Sequence, residues 1–385
     1  MLLLNPTIRL LFAAQALYWS CSIIGITLTS LAGLRLASTA ALATLPLALL
    51  VLGNLLAVMP LSAAMQRHGR RPGLMLGAGL GVAGGLVCAL ALQRGSFALL
   101  CLGAAGIGVY QASSGFYRHA ALEAVPPQRR GRAAACVVGG GLCAALLAPP
   151  LAVWSRDALA TPFTGAYLAI AVLAALGVAT VSRLPAGTAG LPRPAPGALR
   201  ALLARPALRA AVLMTAIGHG LMILVMNATP LAMDGCGFST ASAARVIQWH
   251  VVGMFLPAFF AGALVDRWGT RRVAATGAAL IAASACIALS GVEMVQFFVS
   301  SLLLGLGWNL MLVAGTTLLA ESHAPEERGA AQALMELCNG ATAVAMSFGS
   351  GALLAGIGWT AINIAALPLL ALAALALRPQ AAPRA

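Results

Sequence analysis

Glu336, His219 and His250 are the ionisable residues that stand deep inside the long apolar runs of this chain. A carboxyl or imidazole withdrawn from water can take up and release a proton near neutral pH. Ionisable groups at such depth are rare and are functional by default. Glu336 stands about five residues, roughly 8 Å, into its run, which makes it the first candidate for proton coupling. The plainer reading is an interfacial ion pair with an arginine such as Arg328. His219 and His250 stand about ten residues into neighbouring runs, so both reach a similar depth. No other His, Cys or acid keeps metal-ligand spacing with them, so neither a metal nor a cofactor is expected.

Polar and aromatic residues share that depth: Tyr18 and Trp19, Tyr110 and Gln111, Gln248, Trp308 and Asn309, and Asn339. Tyr and Trp present flat apolar faces with one hydrogen-bonding tip. The set suits a cavity for an amphipathic solute, ring-bearing ones included. Helix-packing contacts are the alternative for any single member. No Arg stands at that depth, which counts against small phosphates and dicarboxylates. No acid stands at the midplane either, so a cationic drug lacks a counter-ion there. The glycine-rich run Gly77–Gly85 has no following Lys-Ser or Lys-Thr and is not a phosphate loop. No catalytic constellation is found, and an enzyme is not expected.

The elements that must position these groups are membrane spans. The chain has 385 residues, 61% hydrophobic and 8% charged, against roughly 25% charged in soluble domains. So much apolar surface requires lipid as its solvent. Windows of about 20 apolar residues give twelve spans. They lie near 9–33, 38–61, 72–93, 97–117, 133–155, 163–182, 208–231, 240–264, 273–292, 295–318, 331–355 and 358–377. Four prolines at Pro185, Pro192, Pro194 and Pro196 make a stiff linker between two sets of six. The expected division is 1–183 for one six-helix bundle, 184–206 for a cytoplasmic linker and 207–385 for the second bundle. Residues 198–205 alternate Arg with apolar residues and read as a helix lying on the membrane surface.

Basic residues outnumber acidic ones 23 to 9, and all are arginine. With the N-terminus inside, only Arg35, Arg94, Arg156 and Arg245 fall outside. The excess therefore reads as orientation rather than nucleic-acid binding, with both termini cytoplasmic in a bacterial inner membrane. The N-terminal apolar run reads as the first span, not as a cleaved signal. The cysteines form no C-x-x-C pair and behave as small hydrophobes.

One loop signal occurs twice. Ser62–Arg71 reads S-A-A-M-Q-R-H-G-R-R, and Gly262–Arg272 reads G-A-L-V-D-R-W-G-T-R-R. A second pair keeps nearly the same offset: Glu123 with Arg130, and Glu321 with Arg328. Two matched landmarks mean a duplicated unit. The loop G-x-x-x-D-R-x-G-x-R-R, its altered copy and twelve spans in two halves resemble the major facilitator superfamily. That resemblance implies an all-α membrane protein with two pseudo-symmetric six-helix bundles and a midplane site between spans 1, 4, 7 and 10. It also implies a cytoplasmic latch. Its members here would be Asp266, Arg267, Arg271 and Arg272 with Glu321 and Arg328, and Gln66, Arg67, Arg70 and Arg71 with Glu123 and Arg130. Gln66 stands where the family pattern has Asp, so the first-half latch should be the weaker one.

The function expected is secondary transport of a small organic solute by alternating access, coupled to protons, by a monomer in the lipid bilayer. Efflux of drugs or toxic compounds is the alternative. The Arg in span 4 and the G-x-x-x-G-P run in span 5 that the resemblance would require for it are missing or degraded; Pro149-Pro150 remains as a hinge in span 5. A transporter-like sensor with no transport cycle is the third reading.

Overall fold

In the computed structural model, residues 5–126, 133, 136–185, 202–324 and 327–376 are described. Among the described residues, ten helices are long and apolar enough to cross a membrane. One of them, the 42-residue stretch Leu334–Leu375, is two spans. It belongs to Arg328–Ala376, which bends at Gly358 (φ 79°, ψ 173°). A twelfth crossing is broken and so fails the length test. It runs as Thr240–Phe255, a 3-10 turn Leu256–Phe259, and Ala261–Trp268. Pro257 supplies no N–H to the helical ladder, which is why the helix breaks there. The fold is an all-helical membrane architecture with two related six-helix bundles.

Spans 1 to 6 are Pro6–Leu36, Leu45–His68, Arg70–Arg94, Phe97–Ser114, Gly140–Arg156 and Thr164–Val181. Spans 7, 9 and 10 are Pro206–Gly235, Thr270–Leu289 and Met294–Ala320. Span 8 is the broken crossing, and spans 11 and 12 flank Gly358. A short helix, Tyr117–Glu123, follows span 4. Span 1 starts where local chemistry dictates. Asn5 accepts from the N–H groups of Thr7 (2.9 Å) and Ile8 (3.4 Å), and Pro6 occupies the first turn. The Asn5 amide also donates to the Ala124 carbonyl at 3.2 Å, fixing the span to the end of the short helix.

The repeated loops are repeated in backbone as well. Gly69 (φ 89°, ψ 163°) and Gly269 (φ 80°, ψ 154°) occupy the same left-handed extended region, which is essentially open to glycine alone. Each glycine turns the chain from one span directly into the next, antiparallel one. The bundles share a packing device too. A Cβ on Gly84 or Gly103 would come within 2.6–2.7 Å of the other's carbonyl oxygen, joining spans 3 and 4. Gly277 and Gly307 do the same between spans 9 and 10, at 2.6–2.7 Å. Lipid gives apolar side chains no reason to cluster, so close backbone approach at small residues supplies the packing.

A staple at the arginine-rich face holds the start of span 7. Arg205 donates to both carboxylate oxygens of Glu327, at 2.6 and 2.7 Å, and to the Ser322 carbonyl at 3.4 Å. The Ala324 N–H donates to the same carboxylate at 3.0 Å. The Arg205 hydrogen bond, with that of Ala324, holds the Glu327 carboxyl below the ordinary carboxylate range. A depressed folded-state value means the staple stabilises above the ordinary Glu range and is lost as pH falls through the lowered value. The pair is partly exposed, so screening keeps its effect small. Arg205→Ala should lower the melting temperature by no more than a few degrees at neutral pH, and the gap should close as pH falls below the ordinary carboxylate range. Equal melting curves at neutral pH would remove the staple's role.

Candidate functional site: the junction between the two bundles

The halves are fastened at the face opposite the arginine-rich loops. Arg156 at the end of span 5 donates from Nη1 to Thr240 Oγ1 at the start of span 8, at 2.6 Å. Its guanidinium lies 5.2 Å from the ring centroid of Phe163 and 3.6 Å from the Asp157 carboxylate. Thr44, fully buried at the start of span 2, accepts from the Gly351 N–H at 2.8 Å and donates to the Ser347 carbonyl at 3.4 Å. At the arginine-rich face the halves meet through a looser contact. Arg118 and Glu336 stand 3.5 Å apart with side chains 52% and 64% exposed. Among the described residues, these contacts between the halves are therefore closer on the face away from the arginines.

Midway between these faces lies an aromatic junction. Trp19 of span 1 and Phe255 of span 8 make a T-shaped pair, centroids 4.8 Å apart at 78°. Gly141 of span 5 lies under the same phenyl ring: a Cβ there would be 2.8 Å from Cε2 and Cζ. Tyr18 packs edge-on against both Trp19 (5.5 Å) and Tyr110 (5.4 Å). The Trp19 indole N–H is buried and has no partner among the described residues.

On the second-half side, His219 of span 7 and Trp308 of span 10 are both half-buried. The indole N–H of Trp308 donates to His219 Nδ1 at 3.0 Å. Asn309, beside Trp308, donates from its amide to the Met254 carbonyl at 2.7 Å and so ties span 10 to span 8. The side-chain oxygens of Asn309 and Asn339 are buried without partners among the described residues. Thr342 donates to the Ala216 carbonyl at 3.1 Å, drawing span 11 against span 7.

The other residues singled out in the sequence divide by direction, not by depth. Tyr110 is fully buried and packs against Gly81 of span 3 and Gly177 of span 6. It faces the core of the first bundle and not the junction. His250 is 1% exposed, and its Nδ1 lies 2.8 Å from the Ser301 carbonyl, so Nδ1 carries the proton. Its Nε2 is buried without a partner among the described residues. Gln111 and Gln248 are half-buried. Glu336 is exposed and stands in an ion pair with Arg118 of the first half.

Among the latch residues, Asp266, Arg267, Arg271, Arg272, Glu321 and Arg67 are exposed, while Arg70 and Arg71 are half-buried. Asp266 makes no hydrogen bond or ion pair with another described residue in this conformer. Arg130 and the side chains of Gln66, Glu123 and Arg328 lie outside the described residues, as does the proline-rich linker from 186 to 201.

The family model described as Major Facilitator Superfamily matches residues 10–256 and 246–385. Among curated proteins, the chain is 38% identical over 373 residues to the "Riboflavin transporter RfnT" of Brucella anthropi, covering 95% of this chain and 93% of that protein. It is 28% identical over 384 residues to the "Uncharacterized MFS-type transporter YddS" of Bacillus subtilis, covering 94% and 88%. Two solved structures share the fold at 15% identity. A bacterial homolog of the human lysosomal transporter Spinster, in an inward-facing and unoccupied conformation, superposes with TM-score 0.70 and coverage of 97% and 96%. The human organic anion transporter MFSD10 superposes with TM-score 0.71 and coverage of 97% and 99%.

Proposed function

This chain belongs to the major facilitator superfamily, and from that premise we propose that its small-molecule solute is a flavin, with riboflavin the first candidate, moved by alternating access. The observation that carries this reading is the 38% identity, across nearly the full length of both chains, to a protein named a riboflavin transporter. The chemistry of the junction supports it. Riboflavin is flat, aromatic and uncharged at neutral pH, with carbonyl and imide groups along one ring edge and hydroxyls on its tail. Trp19, Trp308 and Phe255 offer ring faces and edges. His219 offers a polar tip at a half-buried position. A neutral solute needs none of the midplane charges that phosphates or organic cations would demand.

The arginine-rich face is cytoplasmic in this reading, and the membrane is the bacterial inner membrane. One chain supplies both bundles, so a monomer suffices. The coupling ion is the proton and Glu336 is the group that carries it. Of the three ionisable candidates it is the one that meets the opposite half through a charge. Protonating it cancels that attraction, which links proton binding to how readily this face closes. The second-half latch residues Asp266, Arg267, Arg271 and Arg272, exposed here, would engage when that face shuts.

The identity of the solute is tested by binding. Purified protein should quench riboflavin fluorescence saturably, and the ring-only compound lumiflavin should compete while ribitol should not. Absence of saturable quenching, or competition by ribitol alone, would remove the flavin assignment.

A further inference from the structure

We propose that Trp308 and His219 form the recognition device for the solute: an imidazole locked by the indole in one tautomer, so that its Nε2–H is the donor offered to a ring carbonyl. Indole nitrogen can only donate. With Trp308 Nε1 3.0 Å from His219 Nδ1, that nitrogen must carry its lone pair. A neutral imidazole then has its proton on Nε2. An imidazolium would set two donors against each other and break the bond, so the locked pair excludes His219 as a proton carrier while the bond persists. Nε2 has no hydrogen-bond partner among the described residues and is not among the buried polar atoms that lack one. It is a free, accessible donor. The two rings, centroids 5.9 Å apart and tilted by 40°, do not stack on each other. An aromatic face and a hydrogen-bond donor therefore stand side by side, which suits a planar ring with acceptors on its edge.

The local sequence Gly218-His219-Gly220 explains how the imidazole is held. A Cβ on Gly218 would lie 3.1 Å from the Met311 side chain of span 10. One on Gly220 would lie 3.3 Å from Met346 and Thr342 of span 11. Glycine on each side lets span 7 settle closely against both neighbours, and the Thr342 bond to the Ala216 carbonyl fixes the register.

His250 is the contrast. Its Nδ1 must donate, because the Ser301 carbonyl can only accept. It is buried at the packing contact of spans 8 and 10, where a Cβ on Gly305 would collide with its own backbone carbonyl. The two midplane histidines, alike in sequence and depth, thus hold opposite tautomers. One is a tie between helices and the other is a donor aimed at a ligand. The carbonyl acceptor rests on the flavin reading; the tautomer does not.

Two measurements test the pair. Nitrogen-15 NMR of histidine-labelled protein, with His219→Gln used to assign the signal, should show His219 protonated at Nε2 alone at neutral pH. In Trp308→Phe it should show a mixture of tautomers. A proton on Nδ1, or an imidazolium, in the wild-type protein overturns the proposal whatever the solute is. Riboflavin binding should weaken at least tenfold in His219→Ala and His219→Asn. It should stay within about threefold in His219→Gln, whose amide nitrogen can reach the Nε2 position. Riboflavin with one ring carbonyl replaced by thiocarbonyl should bind the wild type more weakly and bind His219→Ala no worse than riboflavin does. Wild-type affinity in His219→Ala overturns the donor role. Failure of the flavin reading shows differently: the wild type binds no flavin, while the NMR result still decides the pair.

Discussion

Leucine in place of Gly141 will cut transport at least tenfold while leaving the protein folded. The expectation rests on where the halves touch. Gly141 belongs to the first bundle and Phe255 to the second, and a Cβ at Gly141 would stand 2.8 Å from two carbons of the phenyl ring. Trp19 packs against the same ring, centroids 4.8 Å apart, so Phe255 has little room to withdraw. Overpacking a tight site costs about 1–3 kcal/mol. Inside one bundle that cost would appear as lost stability. Between two bundles it appears as a shift in their relative position, because the halves can part before either unfolds. About 1.4 kcal/mol of such a shift changes a conformational equilibrium tenfold. Proteoliposome uptake and thermal unfolding, measured together, separate the two effects. Phe255→Ala in the Gly141→Leu background should restore part of the rate. Uptake at the wild-type rate in Gly141→Leu alone would show that this contact does not limit the cycle.

Reversing Arg118 to glutamate is the second large effect. In the present conformer the Arg118–Glu336 pair is half-exposed at 3.5 Å, and such pairs contribute about 0–1 kcal/mol. Glu336→Gln should therefore leave the melting temperature nearly unchanged. The pair matters when this face closes and water leaves, because Coulomb interactions strengthen as the effective dielectric falls. Arg118→Glu then sets two carboxylates against each other across the closing cleft. Transport should fall about tenfold or more, and Arg118→Glu with Glu336→Arg should recover most of it. Acidification should partly rescue the single variant, since a protonated carboxyl no longer repels. Equal rates in the single and double variants would mean that the two side chains do not meet during the cycle. The same series tests proton coupling: Glu336→Gln should flatten the pH dependence of uptake.

The sequence carried the spans and the repeat well, for physical reasons. Lipid demands long apolar runs, and arginine marks their ends. The loops at Gly69 and Gly269 preserve one backbone conformation in both halves. The direction in which each side chain points was not legible. Tyr110 and Trp308 stand at comparable depth, yet Tyr110 faces the core of its own bundle while Trp308 is half-buried beside His219. In a soluble protein the apolar stripe of a helix would show which side faces in. In a membrane both sides are apolar, and that signal vanishes. Partners across the halves were equally hidden. Arg156 and Thr240 are 84 residues apart, and Thr44 and Gly351 are 307 apart, with no local pattern to join them. The partner of Glu336 across the halves, Arg118, was hidden in the same way.

Movement of riboflavin by the purified protein is the decisive measurement. Proteoliposomes carrying an imposed pH gradient should take up radiolabelled riboflavin saturably and faster than protein-free vesicles. His219→Ala should reduce that uptake, and collapsing the gradient should abolish accumulation. Riboflavin entry no faster than in empty vesicles, under either sign of the gradient and with binding intact, would contradict transport and favour a sensor built on a transporter fold.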